Sequence, residues 1–276
     1  MNKMFKKQVV VITGAGRGIG AAAAKMFAEA GAQVVVNDLD PEPAESVVAE
    51  IKEAGGDAIA VAGDVTAPDF PDRLLRVTID TYGKINVLVN NAGYTWDGMS
   101  HKITDEQWEA ILAVHVSAPF RLIRAAAPYM REPAKAEKKA GGPIEPRCIV
   151  NVSSTSGLHG NIGQANYATA KMGVIGLTKT IAKEWGAFGI RCNTVAFGFT
   201  DTRLTQSKEK GATIEVGGQE VALGIPDQIR QMAPMRIPLG RAATPEEAAG
   251  GILLMASPLA SFITGHTLEV TGGAGI

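Results

Sequence analysis

Cysteine is scarce: Cys148 and Cys192 are the only two in 276 residues. Neither has a histidine or second cysteine at metal-ligand spacing, so no metal centre is expected. Two isolated thiols suit a reducing compartment, with both buried and free. Net charge is scarce as well. Lys and Arg number 27 against 28 Asp and Glu, a formal charge of −1. That leaves no global electrostatic case for nucleic acid or an anionic membrane. No apolar run approaches the roughly 20 residues of a membrane helix, and residues 1–11 hold too short an apolar stretch for a secretory signal. A cytoplasmic location is expected. With 46% apolar and 20% charged residues, disorder, collagen-like repeats and coiled coils are excluded.

Glycine is abundant: 32 residues, about 12% against roughly 7% on average, beside only 14 prolines. Many of these glycines follow apolar runs, as in tight turns where backbone approaches something closely. Short β-branched runs at 8–12, 33–37, 58–62, 86–90, 148–152, 190–195 and 267–270 alternate with longer segments. The latter show helical periodicity near 18–30, 42–54, 69–82, 105–130, 165–187 and 245–256. Val9-Val10-Val11-Ile12 is apolar at consecutive positions, so both faces must be covered, as in a parallel sheet between helix layers. The pattern predicts a doubly wound α/β fold: a parallel seven-stranded sheet of the Rossmann type, in a single domain over residues 1–276.

Two segments break the rhythm. Residues 131–147 (REPAKAEKKAGGPIEPR) are polar and carry Pro and Gly, which predicts a solvated surface loop before the fifth strand. Residues 203–243 exceed what a strand–helix connection needs. Within them, 213–222 reads as a small hairpin turning on Gly217-Gly218. An insertion at the carboxyl side of such a sheet is where a lid over a ligand would sit.

The first strand runs into Thr13-Gly14-Ala15-Gly16-Arg17-Gly18-Ile19-Gly20 and then an Ala-rich helix. Gly14 allows the tight turn, Gly18 lets backbone approach a pyrophosphate, and Gly20 permits close helix–strand packing. The helix N-terminus supplies N–H donors for the phosphates. Asp38 follows at the end of the second strand, where a dinucleotide site places an acid for the ribose hydroxyls. A carboxylate there accepts both hydroxyls of NAD and repels a 2′-phosphate by about 1–4 kcal/mol at ~4 Å. Arg17 argues the other way, since a base in the loop can pair with a 2′-phosphate. NAD is the expected cofactor, with NADP the alternative.

Asn90-Asn91-Ala92-Gly93, then Ser154, then Tyr167-Ala168-Thr169-Ala170-Lys171 complete a series. With the glycine loop, and in this order, they resemble the short-chain dehydrogenase/reductase family over nearly the whole chain. Gly163-Gln164-Ala165-Asn166-Tyr167, residues 238–241 (PLGR) and residues 244–247 (TPEE) are most similar to its 3-oxoacyl-acyl-carrier-protein reductases. The resemblance implies an oxidoreductase that interconverts a ketone and a secondary alcohol, with a 3-oxoacyl thioester as substrate. A free secondary, cyclic or steroid alcohol is the alternative, and a silent dinucleotide-sensing scaffold a lesser one.

Tyr167 and Lys171 stand at i and i+4 on one helix and so share a face. A phenol titrating near 10 is a poor acid–base group at neutral pH, and a neighbouring ammonium is expected to favour the phenolate. Ser154, just past the fifth strand, can orient the reacting oxygen. The resemblance selects Ser154 over Ser153 and implies cofactor contacts at Asp64, Val65, Asn91, Ala92, Gly93, Thr200 and Thr202, with Lys171 reaching the nicotinamide ribose. It also places His115 where the family carries an asparagine in a proton relay, a role a histidine can fill. The family's Pro-Gly after the sixth strand reads Phe197-Gly198 here, a departure at that turn. Tyr94, Trp96, His159 and Gln164 are the expected pocket residues. Surplus apolar positions on the helices near 105–130 and 165–187 predict a homodimer or homotetramer. An acyl carrier protein would need a basic landing site at the pocket mouth, for which Lys183, Arg131, Lys135, Lys138 and Lys139 are the candidates.

Overall fold

Seven strands run parallel in one sheet in the computed structural model, which describes residues 3–216 and 218–275. Along the chain come β1 (Val9–Ile12), α1 (Gly18–Glu29), β2 (Gln33–Val36), α2 (Pro41–Glu53), β3 (Asp57–Ala60) and α3 (Phe70–Tyr82). Next are β4 (Val87–Asn90), α4 (Asp105–Leu112), α5 (Ala118–Ala140), β5 (Arg147–Ser154), α6 (Thr155–His159), α7 (Ala165–Trp185) and β6 (Ile190–Phe197). The chain closes with β7 (Thr213–Val216), β8 (Gln219–Ala222), α8 (Asp227–Met232), α9 (Pro245–Ala256) and β9 (Thr267–Val270). The sheet order is β3-β2-β1-β4-β5-β6-β9, the predicted doubly wound fold.

Val9, Val10, Val11 and Ile12 are all fully buried, as their unbroken apolar run requires. Their side chains point alternately to two layers. Val10 and Ile12 join Phe27, Val47 and Ile252 under α1, α2 and α9, while Val11 joins Leu74, Leu122 and Ile181 under α3, α5 and α7. Cys148 and Cys192 lie in these two different layers, on opposite sides of the sheet, and both are free. Burial holds both thiols protonated, Cys148 rising to about 11.

The segment 131–147 departs from expectation. Its first ten residues are helix, because α5 continues to Ala140 and ends on Gly141 at φ +71°. Pro128 and Pro133 each remove a backbone donor, but Met130 and Ala134 are fully buried and hold the helix on the sheet. Glu137 then meets the buried Arg147 through two hydrogen bonds, at 2.7 and 2.9 Å. Only 141–146 forms the loop.

The pattern near 105–130 is likewise not one helix. A capping box of Thr104 and Gln107 starts α4, and a π turn over Ala113–Ser117 separates it from α5. Taken together, residues 105–140 are long and apolar enough to cross a membrane, yet much of their surface is buried in the domain. The expected hairpin forms, with Val216 opposite Gln219. Gly217, half of its expected turn, lies outside the described residues; Gly218 has φ +81°. The hairpin rests on α4, where Gln219 Nε2 donates to the Glu106 carboxylate at 3.0 and 3.1 Å.

Candidate active site

The glycine loop lies beyond the carboxyl end of β1, next to β4, where the strand order reverses. Open α/β sheets bind ligands in that crevice. Gly14 holds φ +61°, and a β-carbon there would fall 2.7 Å from the Ala92 Cα, so only glycine lets the two loops close. Asn91 fastens them by donating its amide to the carbonyls of Thr13 and Gly14, both at 2.9 Å. Thr13 Oγ1 accepts the backbone N–H groups of Asn91 and Ala92 at 3.1 Å. Gly18, Ile19 and Gly20 open α1, whose first turn has no acidic residue and no side-chain cap. Its first N–H groups are therefore available to an anion.

Asp38 is buried and accepts the Gly16 N–H at 2.9 Å. Arg17 lies 3.6 Å from Asp38 and 3.0 Å from Asp40, so its charge is balanced locally. Val65 is buried, while the exposed Asp64 accepts the N–H and hydroxyl of Thr66, each at 2.8 Å. A methyl of Thr202 lies 3.6 Å from where a Gly18 β-carbon would sit. The Thr200 hydroxyl is buried with no partner among the described residues. Backbone-lined loop, acid and orphaned hydroxyl together fit a dinucleotide: phosphates at the loop, ribose at Asp38, amide end at Thr200.

Ser154 ends β5 and caps α6, its Oγ accepting the Ser156 N–H at 3.2 Å. Ser153 is buried and donates to the Lys171 carbonyl at 2.7 Å, so its hydroxyl is committed to α7. On α7, Lys171 Nζ lies 5.5 Å from the Tyr167 ring centroid. It is 4% exposed and donates to the Val152 carbonyl at 2.8 Å. Burial lowers its pKa to about 7. Burial also pushes the Tyr167 phenol up to about 12, opposed by the Ser154 hydroxyl and reinforced by the charge of Asp97. The expected downward pull of the ammonium is thus overridden in the cofactor-free chain. Desolvation acts on both groups and favours the neutral form of each.

The π turn carries His115 into this cluster. The ring is 3% exposed, with Nε2 2.7 Å from the Tyr94 carbonyl. A carbonyl only accepts, so Nε2 carries the proton and Nδ1 is an acceptor, buried with no partner among the described residues. Burial, and then the charge of Lys171, hold the imidazole well below its ordinary pKa, and it is neutral. It packs edge-on against Tyr167, with ring centroids 5.1 Å apart. Gly93 makes the room: a β-carbon there would lie 2.1 Å from His115 Cε1.

A family model for short chain dehydrogenases matches residues 8–213. The chain belongs to the short-chain dehydrogenase family. It is 38% identical over 266 residues to a 3-oxoacyl-[acyl-carrier-protein] reductase of Thermotoga maritima, covering 96% of this chain and 97% of that protein. A 3-oxoacyl-[acyl-carrier-protein] reductase of Synechocystis is 39% identical over 268 residues, 96% of each chain. An uncharacterized oxidoreductase of Mycobacterium tuberculosis is 37% identical over 275 residues, 99% of each. As in its family, this dehydrogenase has the fold of a dinucleotide-using oxidoreductase.

Around the cleft of this short-chain dehydrogenase, two expected pocket residues fall elsewhere. Tyr94 is packed in the core, where burial and the charge of Asp64 raise its phenol to about 12. His159 is on the short helix α6 rather than in a loop, and it faces the C-terminal strand, 3.8 Å from Glu269. Trp96 and Gln164 do come together. The Trp96 carbonyl accepts from Asn166 at 3.1 Å, and Gln164 Nε2 donates to both oxygens of Asp97, at 3.0 and 3.2 Å. Asp97 was not anticipated; the signal available in sequence was an acid four residues after Gly93. Phe197 closes β6, and the Gly198 N–H donates to the Val270 carbonyl at 3.0 Å, which holds that turn without the family proline.

Three of the basic residues expected at the pocket mouth lie elsewhere. Lys183 lies about 24 Å from Tyr167 along the axis of α7, at 1.5 Å per residue. Lys138 donates to the Ala187 carbonyl at 2.6 Å, and Arg131 covers the Phe188 ring at 4.7 Å, both against the turn that follows α7. Among the described residues, no group of three side chains could hold a metal ion.

Proposed function

We propose that this short-chain dehydrogenase reduces the ketone of a 3-oxoacyl thioester to a secondary alcohol with NADH. The observation that carries the reading is the convergence of Ser154, Tyr167, Lys171 and His115 beside the nucleotide cradle. The printed activity of the Thermotoga and Synechocystis relatives supports the substrate class. When bound, the nicotinamide supplies or takes the hydride. The chain's own residues manage the proton and the oxygen.

Tyr167, protonated at neutral pH, is the group that gives its phenolic proton to the carbonyl oxygen as that oxygen becomes an alcohol. The Ser154 hydroxyl orients the same oxygen. Lys171 sits close enough to stabilise the phenolate that remains, and His115 Nδ1 offers an acceptor for water on the return path of the proton. Asp38, with Arg17 balanced by Asp40, favours NADH over its phosphorylated counterpart. Self-association is part of the proposal on narrower grounds than the sequence suggested. Ile111, Val114, Val174 and Ile175 are buried within the chain, but Trp108, Phe120 and Met172 leave 37–49% of their surface exposed on the same helices. The test of function is turnover with NADH on acetoacetyl thioester, cyclic ketones and simple secondary ketones. Preference for the thioester supports the reading, and a cyclic or simple ketone turned over more efficiently overturns it.

A further inference from the structure

One negative group in the cleft belongs to neither the nucleotide cradle nor the Ser–Tyr–Lys cluster. Asp97 sits on the loop after β4, facing the turn that leads into α7. Gln164 grips both of its carboxylate oxygens and is itself held through Oε1 by Asn161 at 3.0 Å. The two backbones are zipped together beneath it. The Gly98 N–H donates to the Gly163 carbonyl at 2.8 Å, and Asn166 Nδ2 donates to the Trp96 carbonyl at 3.1 Å. The carboxylate is therefore fixed in place, yet the residue stays exposed. Its field reaches the Tyr167 phenol. Desolvation raises the Asp97 carboxyl above its ordinary pKa, opposed by the Gln164 hydrogen bonds and by the charge of the exposed Lys208 on the 203–243 segment.

A substrate whose carbonyl oxygen meets Tyr167 must place its neighbouring atoms within the same field. We propose that Asp97 is a specificity-determining residue that rejects a free carboxylate next to the reacting ketone, and so selects uncharged 3-oxoacyl thioesters over free 3-oxo acids. The inference rests on the reductase reading above. In a 3-oxo acid the carboxylate stands two carbons from the reacting centre, so a second negative charge is brought up to a fixed first one. Two like charges a few ångströms apart near a protein surface repel strongly enough to change an affinity tenfold or more. The thioester carbonyl in the same place is neutral and meets no such repulsion.

Charge is separated from shape by comparing acetoacetate with acetoacetamide, which has its size without its charge, alongside acetoacetyl-N-acetylcysteamine. With NADH and the unaltered enzyme, acetoacetate should compete with the thioester at least tenfold more weakly than acetoacetamide does. Equal inhibition constants overturn the proposal. Asp97→Asn keeps the shape and an acceptor for Gln164, and should narrow the acid–amide gap about tenfold. An unchanged gap in a folded Asp97→Asn variant also overturns it; if that variant does not fold, the unaltered enzyme alone decides. Failure of the reductase reading looks different: none of the ketones is reduced with either nicotinamide nucleotide, although NADH still binds.

Discussion

Replacing Lys171 with methionine should stabilise the cofactor-free protein at neutral pH, by an amount that vanishes in alkali. The side chain is 4% exposed, and its one hydrogen bond among the described residues goes to the Val152 carbonyl. Burial moves its pKa from 10.5 to about 7 in the folded chain. The unfolded chain keeps the ordinary value. Between pH 7 and 10.5 the unfolded state therefore holds a proton that the folded state has lost, and stability rises with pH through that window. Below pH 7 both states are charged and the full penalty applies, roughly 5 kcal/mol for a displacement of this size. Methionine fills much the same volume and carries no charge. Urea unfolding of both proteins, cofactor-free and at one protein concentration, measures the difference at pH 6.5, 8.5 and 10. Lys171→Met should be more stable by several kcal/mol at pH 6.5, with the gap closing by pH 10. A gap that stays constant with pH, or a less stable variant at pH 6.5, would refute the reasoning.

Gly93→Ala drives a β-carbon into the His115 ring, and such overpacking should lower stability by about 1–3 kcal/mol. His115→Asn in the same chain should recover most of that loss in urea unfolding, because the shorter side chain withdraws from the contact. Asp38→Ala removes the acid at the ribose position. Fluorescence titration should show NADH binding tighter than NADPH in the unaltered protein, and a gap narrowed about tenfold in the variant. Light scattering at micromolar concentration should return a dimer or tetramer, and a monomer would remove the assembly from the account.

Much of the fold was legible because its signals are local. Consecutive valines in β1 can only be a strand covered on both faces, and a glycine loop between strand and helix has few other uses. What was missed depends on contacts between distant parts of the chain. Pro133 reads as a helix breaker, but Met130 and Ala134 are buried against the sheet and carry α5 past it. The π turn at His115 leaves no mark in the spacing of apolar residues. Sequence does not give the direction of the Tyr94 side chain, because in a loop after a strand that direction is set by packing, here against the core. Asp97 joins the site through Gln164, 67 positions away. Spacing located Tyr167 and Lys171 on one face, but not the burial that sets their protonation.

The central claim is that Tyr167 supplies the proton for carbonyl reduction, and Tyr167→Phe tests it most directly. The change removes the hydroxyl and keeps the ring that packs against His115. Turnover of acetoacetyl thioester should fall about 100-fold or more, while NADH binding, followed by nucleotide fluorescence on the same preparation, stays close to that of the unaltered protein. A Tyr167→Phe enzyme that binds NADH and turns over normally would contradict the account.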